Sequence, residues 1–345
     1  MKDILNKFNI PDTIISINEN KIGLINTTYI VSTINQKYIL QKINKEIFHS
    51  PKDLMNNIYI ITNYLKDKNC NTLEIIKSKN EKLYVIYKDQ YWRVFKYIEG
   101  KTFLKAENFK ILKESALELA KFHQYFNNYS NNNLVELIPN FHNTPFIFKQ
   151  FQNTLKHTPK SKLDQCDKQI RYILSKEKDC NIIYKLIENK QIPLQLCHND
   201  PKISNFLFDK EMNVICLLDL DTIFYGTILT DIADAIRTMC VSSSENESDL
   251  DNLSFNYNFF KSFIESYLSE NNLNDCEINH IGKSIELIFL EQGIRFLNDY
   301  LNGNIYFKVN YLTQNLVRSN NQLYLSKEIA SNLEKLNNIV QQSIK

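Results

Sequence analysis

The strongest constraint on this chain is a change of hydrophobic period close to residue 99. Before it, short β-branched blocks dominate. IGLINTTYIV and KYILQKI, separated by the polar turn TINQ, read as strand, turn, strand over 22–43. Two further strands are expected near 83–87 (LYVIY) and 91–98 (YWRVFKYI). A single helix interrupts them. It opens at Pro51, where a missing backbone N–H costs nothing, and carries Leu54, Ile58, Ile61 and Leu65 at helical spacing. From about 107 the period lengthens: FKILKESALELAKFHQYF keeps one apolar stripe through at least four turns. Helix is expected again over 163–189, then in ADAIRTM, NFFKSFIESYL and SIELIFLEQGIRFLNDYL. Between these lies an island of strand, FLF at 206–208 and VICLLDL at 214–220, joined by the turn DKEMN. The fold class is therefore α+β: a small β-rich lobe with one helix over 1–98, then a larger, mainly helical lobe over 99–345.

Composition sets the outer bounds. A chain of 345 residues has ample length for a real core. Lys plus Arg exceeds Asp plus Glu by 41 − 39 = +2, so no overall field recruits nucleic acid or an acidic membrane. The seven cysteines are odd in number and form no C-x-x-C pair. A disulfide framework or zinc site is not expected, and a reducing, cytoplasmic setting is. The opening MKDILNKFNI lacks the apolar core of a signal peptide, and no apolar run approaches the ~20 residues that span a bilayer. NNYSNNN at 127–133 reads as a solvated loop.

The chemistry is concentrated in Cys197-His198-Asn199-Asp200-Pro201-Lys202-Ile203-Ser204-Asn205, followed by the strand island and Leu218-Asp219-Leu220-Asp221. Phosphoryl transfer needs a carboxylate at the attacking hydroxyl, ligands for Mg²⁺, a cradle for the triphosphate and in-line geometry. His198 and Asp200 form H-x-D, and Asn205 lies five residues beyond Asp200, the spacing of a kinase catalytic loop. Asp219 ends a hairpin strand fourteen residues after Asn205. Asn and Asp offer the hard oxygens that Mg²⁺ prefers. Taken singly these features are ordinary: D-x₄-N often marks a turn, and a lone histidine usually packs. Their conjunction, in order and behind a β lobe, points to an ATP- and Mg²⁺-dependent kinase with a protein-kinase-like two-lobed fold.

The same segments resemble the aminoglycoside phosphotransferase and choline kinase superfamily, and within it most closely the N-acetylhexosamine 1-kinases. The likeness runs through GLINTTYIV, YILQKIN with PKDLMNNI, YWRVFKYIEG, IPNFHNTP, CHNDPKISNFLFD, LLDLDTIFYG with TDIADAIRT, GIRFLNDYLNGNIYFK and NLVRSNNQL. IPNFHNTP and RFLNDYL have no generic catalytic logic and are the more specific markers. The resemblance implies that Asp200 is the catalytic base, that Asn205 and Asp219 hold Mg²⁺, and that His198 and Asp231 support the catalytic loop. It implies that Gly23, Asn26 and Thr27 lie over the ATP phosphates and that Lys96 to Ile98 face adenine. The superfamily's phosphate-pairing lysine falls near Gln41 and Lys42, which point to opposite faces of a strand. Lys42 carries the charge and register favours Gln41; both stand as candidates. The usual helical glutamate partner is absent, with Asn56 and Asn57 there instead.

His142, Arg295 and Asp299 are candidate contacts to a small-molecule substrate, a sugar by this resemblance. For Arg295 the bland alternative is an ion pair with Asp299 one turn away, while Trp92 and Phe95 read as core. The resemblance implies transfer of phosphate to the anomeric hydroxyl of an N-acetylhexosamine, in carbohydrate metabolism. A rival is a kinase for a cationic amino alcohol or aminoglycoside, since residues 241–300 hold 11 acidic and 3 basic side chains, a balance of −8. Much of that charge sits in ENESDLD at 245–251, which reads as a solvated loop. A non-catalytic, degenerate kinase would have lost Asp200, Asn205 or Asp219, and all three are present.

Overall fold

The structure, a computed structural model, describes residues 1–20, 25–131 and 133–344. The first lobe is an antiparallel sheet of β1 (Ile14–Asn20), β2 (Thr27–Thr33), β3 (Lys37–Lys42), β4 (Ile75–Ile76), β5 (Val85–Tyr87) and β6 (Gln90–Lys96). Its order is β1-β2-β3-β6-β4, with β5 also paired to β6. A short helix α1 (Lys2–Leu5) closes one face, and α2 (Pro51–Asp67) lies on the other. Residue alternation sorts the side chains between these faces. Tyr38 and Leu40 join Val31, Trp92, Val94, Ile4 and Phe8 in a small outer core. Ile39 and Phe95 turn inward to Leu54, Ile58 and Ile61 of α2, so that face merges with the main core.

Local chemistry explains where α2 begins and stops. Pro51 occupies its first turn, and Leu54, Ile58, Ile61 and Leu65 are buried along one stripe. At the far end Asn69 adopts φ 56°, a left-handed value that Asn tolerates better than most residues. The N–H of Cys70 then reaches the carbonyl of Leu65 at 2.9 Å and that of Asn69 reaches Lys66 at 2.9 Å, the paired bonds of a Schellman cap.

The second lobe is mostly helical. It contains α3 (Phe109–Tyr125), α4 (Thr144–His157), α5 (Lys160–Gln165), α6 (Asp167–Ser175) and α7 (Ile182–Glu188). After the strands come α8 (Ile228–Met239), α9 (Tyr257–Glu270), α10 (Asp275–Leu301), α11 (Gln314–Ser331) and α12 (Leu333–Ser343). Four short strands lie among them: β7 (Gln195–Cys197), β8 (Phe206–Phe208), β9 (Val214–Leu217) and β10 (Phe224–Gly226). β8 pairs with β9, and β10 with β7. The long helix α10 is buried on most sides, from Ile281 through Leu301, as expected for a helix through the centre of a lobe. Its N-terminus carries a full capping box, Asn274 with Glu277. No helix among the described residues is long and apolar enough to cross a membrane.

Several expectations change. Residues 163–189 form separate helices, α5 to α7 and a 3₁₀ turn, because Cys166 and Lys176 leave helical geometry. The 127–133 segment is not wholly solvated: Tyr129 packs on Tyr64 and Phe126, and the N–H of Asn131 bonds the Tyr225 hydroxyl at 2.9 Å. The acidic 245–251 segment is tied down too, with Glu245 paired to Arg237 and the Asn246 side chain accepting from Gln314 and Arg318.

The lobes join at 97–100. Beyond that link, Lys101 exchanges two backbone hydrogen bonds of 2.9 Å with Phe208. A Cβ on Gly100 would sit 2.7 Å from Leu207 Cγ and 2.8 Å from the Phe208 carbonyl oxygen. That carbonyl is fixed by the bridge and cannot retreat. Gly100→Ala should therefore destabilise the chain by about 1–3 kcal/mol. Urea unfolding measures this, and an unchanged midpoint and slope would show that the link has room to spare.

Candidate functional site

The catalytic-loop sequence folds as a tight arch from β7 to a 3₁₀ turn, Ile203–Asn205. Asn199 takes φ 62° and Asp219 takes φ 57°, left-handed values that few residues beyond glycine, Asn and Asp adopt. The surroundings hold both. Asn199 Nδ2 donates to the carbonyls of Thr222 (3.0 Å) and Phe224 (3.1 Å). Asp231, buried in the first turn of α8, accepts from the N–H of His198 at 2.7 Å, the N–H of Asn199 at 2.8 Å and Nε2 of His123 at 2.9 Å. Burial opposes its ionisation, but His123, followed by His198, holds its carboxyl below the usual range. His198 Nε2 donates to the Leu218 carbonyl at 2.9 Å, and Nδ1 accepts from the N–H of Asp200 at 3.3 Å. That pattern ties the loop to the strand leading into Asp219.

Within this frame Asp200, Asn205 and Asp219 come together with Lys202. Asp200 Oδ2 accepts from Lys202 Nζ at 2.6 Å and from Asn205 Nδ2 at 3.2 Å, leaving Oδ1 without a partner among the described residues. Asn205 Nδ2 also donates to the Asp200 carbonyl at 2.8 Å, which leaves its own Oδ1 open. The Asp219 carboxylate accepts no hydrogen bond from the described residues. The residue is exposed, yet enough protein crowds its carboxylate that desolvation, then the charge of Asp221, raises its pKa to about 6. A hydrogen-bond-free carboxylate beside a free amide oxygen fits a hard divalent cation. Lys202 stands two positions past Asp200, and its contact with that carboxylate is a feature that the kinase spacing alone does not reveal. Burial weakens its charge, but Asp200 and Asp219 more than restore it and raise its pKa above the usual lysine value.

The nucleotide-side candidates scatter more. Gly23 lies outside the described residues. Asn26 is buried and donates to Asp221 at 2.8 Å, and Thr27 begins β2. Gln41 is on the face of β3 that looks to α2; it donates to Thr28 Oγ1 at 3.0 Å and accepts from Arg93 Nε at 2.9 Å. Lys42 is on the opposite face and makes no hydrogen bond or ion pair among the described residues. Lys96 is exposed and pairs loosely with Glu74 at 3.5 Å, and Ile98 is half-buried in the link between lobes. Asn57 binds the backbone of Val135 through both amide atoms, at 2.8 and 3.0 Å.

On the substrate side the expected contacts separate into supports and open groups. His142 has both ring nitrogens occupied, by Glu291 at 2.8 Å and the Asn199 carbonyl at 2.9 Å, so it braces the catalytic loop. Asp299 is saturated as well. It accepts from the N–H groups of Ile305, Tyr306 and Phe307 and from Asn315, at 2.8 to 2.9 Å, and builds the 305–307 turn. The anticipated Arg295–Asp299 pair is therefore replaced by Arg295–Glu291 at 3.3 Å, one turn in the other direction. Arg295 stacks over Phe141, 4.6 Å from the ring centre, and its Nε has no partner among the described residues; neither has Asn298 Oδ1. Both residues line a cavity of about 450 Å³ with Tyr306 and Phe141. Tyr306 lies within electrostatic range of both Arg295 and Asp200.

The Glu291–His142 pair gives a pH signature. Burial disfavours charge on His142, but Glu291 outweighs it and lifts the pKa above the ordinary 6.5. Glu291, against burial, is held below its ordinary 4.5 by His142 and Arg295. The stability contributed by the histidine is complete below pH 6.5 and is lost as pH rises through the higher folded value; that of the glutamate is complete above 4.5 and is lost as pH falls through the lower one. The stability lost in Glu291→Gln should therefore be largest near pH ~5–6.5 and shrink toward pH ~9. Urea titrations across that range test this, and a loss that grows with pH would contradict the pair.

With the geometry established, the chain can be compared with known proteins. A model described as "Phosphotransferase enzyme family" matches residues 16–257. An ethanolamine kinase of Drosophila melanogaster is 22% identical over 140 residues, covering 39% of this chain and only 27% of that kinase. Among solved structures, a microcompartment-associated aminopropanol kinase superimposes with TM-score 0.65 at 13% identity, covering 96% of each chain. An amicoumacin kinase in complex with AMP-PNP, Ca²⁺ and Ami gives TM-score 0.63 at 16% identity, covering 96% of this chain and 91% of that one. These identities speak to the fold, which is the two-lobed kinase-like one described above. The family match spans both the sheet of the first lobe and the Asp200–Asp219 site, and on that ground the chain belongs to the phosphotransferase enzyme family.

Proposed function

We propose that this protein transfers the γ-phosphate of ATP to a hydroxyl of a small molecule, using residues 1–98 as the nucleotide lobe and 99–345 as the catalytic and substrate lobe. The observation that carries this reading is the Asp200 carboxylate, with one oxygen held by Lys202 and Asn205 and the other open. An acceptor hydroxyl bound at the open oxygen would pass its proton to Asp200 as it attacks phosphorus. Asn205 and Asp219 would hold Mg²⁺, which when bound supplies positive charge to the phosphates. Lys202, already between two carboxylates, is poised to balance negative charge that builds on the transferred group.

For the acceptor we propose the anomeric hydroxyl of an N-acetylhexosamine, a reading supported by the polar groups of the cavity beside Arg295. A neutral acetamido group brings one acceptor and one donor, matching the unpartnered Arg295 Nε–H and Asn298 Oδ1. An amino alcohol is the rival, favoured by the likeness to ethanolamine and aminopropanol kinases. A cationic amine would meet the Arg295 guanidinium there, while Glu291 and Asp299 are already engaged. The acidic balance of 241–300 thus provides less free carboxylate than the sequence suggested.

An ATP-consumption screen of N-acetylglucosamine, N-acetylgalactosamine, plain hexoses, choline, ethanolamine and aminoglycosides tests both levels. The N-acetylhexosamines should be preferred, with phosphorus coupling at the anomeric proton of the product. Arg295→Met should raise KM for the N-acetylated sugar about 10- to 100-fold, the worth of a lost hydrogen bond to a charged donor, and leave KM for ATP unchanged. Preference for an amine, or phosphate on another hydroxyl, would overturn the sugar reading alone. No ATP consumption with any acceptor would count against the kinase reading itself.

A further inference from the structure

Arg93 is the largest fully buried side chain among the described residues, about 1% exposed, in the middle of β6. Its guanidinium bonds Asp221 in bidentate fashion, Nη1 to Oδ1 at 2.7 Å and Nη2 to Oδ2 at 2.8 Å. Nε is fixed by Gln41 of β3 at 2.9 Å, and the plane packs on Phe95 and against Met55 of α2. Asp221 belongs to the second lobe and lies two residues past Asp219. Its Oδ2 also accepts from Asn26 Nδ2 at 2.8 Å, and Asn26 Oδ1 in turn accepts from the N–H of Asn44 at 3.0 Å. One buried carboxylate therefore ties β6, the entrance to β2 and the segment after β3 to the turn that carries Asp219.

Burying such a pair costs several kcal/mol of desolvation per ion, so an apolar filling would serve stability as well or better. What the pair adds is direction: a bidentate guanidinium–carboxylate contact fixes angle as well as distance. With both oxygens of Asp221 taken, Asp219 is left as the exposed and unbonded carboxylate of the two. Resting on the kinase reading, we propose that Arg93, Asp221 and Asn26 form an interlobe latch that fixes the start of β2 against the turn that carries Asp219. They are positioning residues for the nucleotide phosphates and do not themselves bind metal or phosphate.

The test uses the full chain with three variants: Asn26→Leu, which keeps the ion pair; Arg93→Met/Asp221→Leu, which replaces the pair with apolar volume; and Asp221→Asn. The double variant should melt within a few degrees of wild type, because the desolvation cost disappears with the charges. Its KM for Mg·ATP should nevertheless rise about tenfold or more, as should that of Asn26→Leu, the scale of one buried hydrogen bond to a charged group. KM for the acceptor should stay within about twofold in both. Wild-type KM for Mg·ATP in the double variant would reduce the pair to a stabilising contact and overturn the proposal. An altered Mg²⁺ or Mn²⁺ requirement in Asp221→Asn would overturn it differently, by making Asp221 a metal ligand. Hydrogen exchange without nucleotide keeps this apart from any failure of the kinase reading. The latch requires faster exchange at 25–28 and 221–223 in the double variant, whether or not the chain turns over ATP, and unchanged protection there would also contradict it.

Discussion

The arrangement of the site depends on one buried carboxylate. Asp231 has no exposure to solvent, and its oxygens receive two consecutive backbone N–H groups of the loop, those of His198 and Asn199, as well as His123. Within that grip Asn199 is held left-handed, and its side chain clamps the 222–224 backbone just before Asp200. His123 is itself seated by the Tyr267 hydroxyl at 2.6 Å, so α3, α8 and α9 converge on the loop. His123, Cys197 and Asp231 lie close enough to suggest a metal site. The hydrogen bonds already made by the histidine and carboxylate account for that cluster as a fastening of the loop.

Charge is distributed around this frame in alternation. Arg93 neutralises Asp221, Lys202 joins Asp200 and approaches Asp219, Arg237 holds Asp234, and Glu291 holds His142 beside Arg295. Each of these buried charges meets an opposite one, while Asp299 is satisfied by backbone N–H groups instead. Among the groups left without a partner, four bear on function: one oxygen of Asp200, the carboxylate of Asp219, Nε of Arg295 and Oδ1 of Asn298. The first two fit a metal and a hydroxyl. The last two line a separate cavity where an uncharged polar group would complete them.

Much of this was legible in the sequence because it depends on spacing along the chain. The period change near residue 99, the α2 stripe and the run from His198 to Asp219 are all local patterns. Partners distant in sequence were hidden. Arg93 read as one residue of the strand YWRVFKYI, and nothing local shows that it meets Asp221, 128 positions away. The same holds for His142 and Glu291, 149 positions apart. Some signals were available and unused: Asn143-Thr144-Pro145 is an ordinary helix start, and its cap bond to Phe146 opens α4. Asp299 was misjudged because its true partners are backbone N–H groups, which a sequence of side chains does not display. β1, with an irregular apolar pattern in IISINEN, is a strand because β2 supplies its pairing.

In the proposed mechanism Asp200 takes the acceptor's proton while Asn205 and Asp219 hold the metal that bears the phosphates. Asp200→Asn separates the two most directly, because the amide keeps the shape and loses the basicity. Turnover should fall ~10²–10⁴-fold while calorimetric affinity for Mg·ATP stays within a few-fold of wild type. Turnover near the wild-type rate would contradict the claim by removing Asp200 from the proton's path.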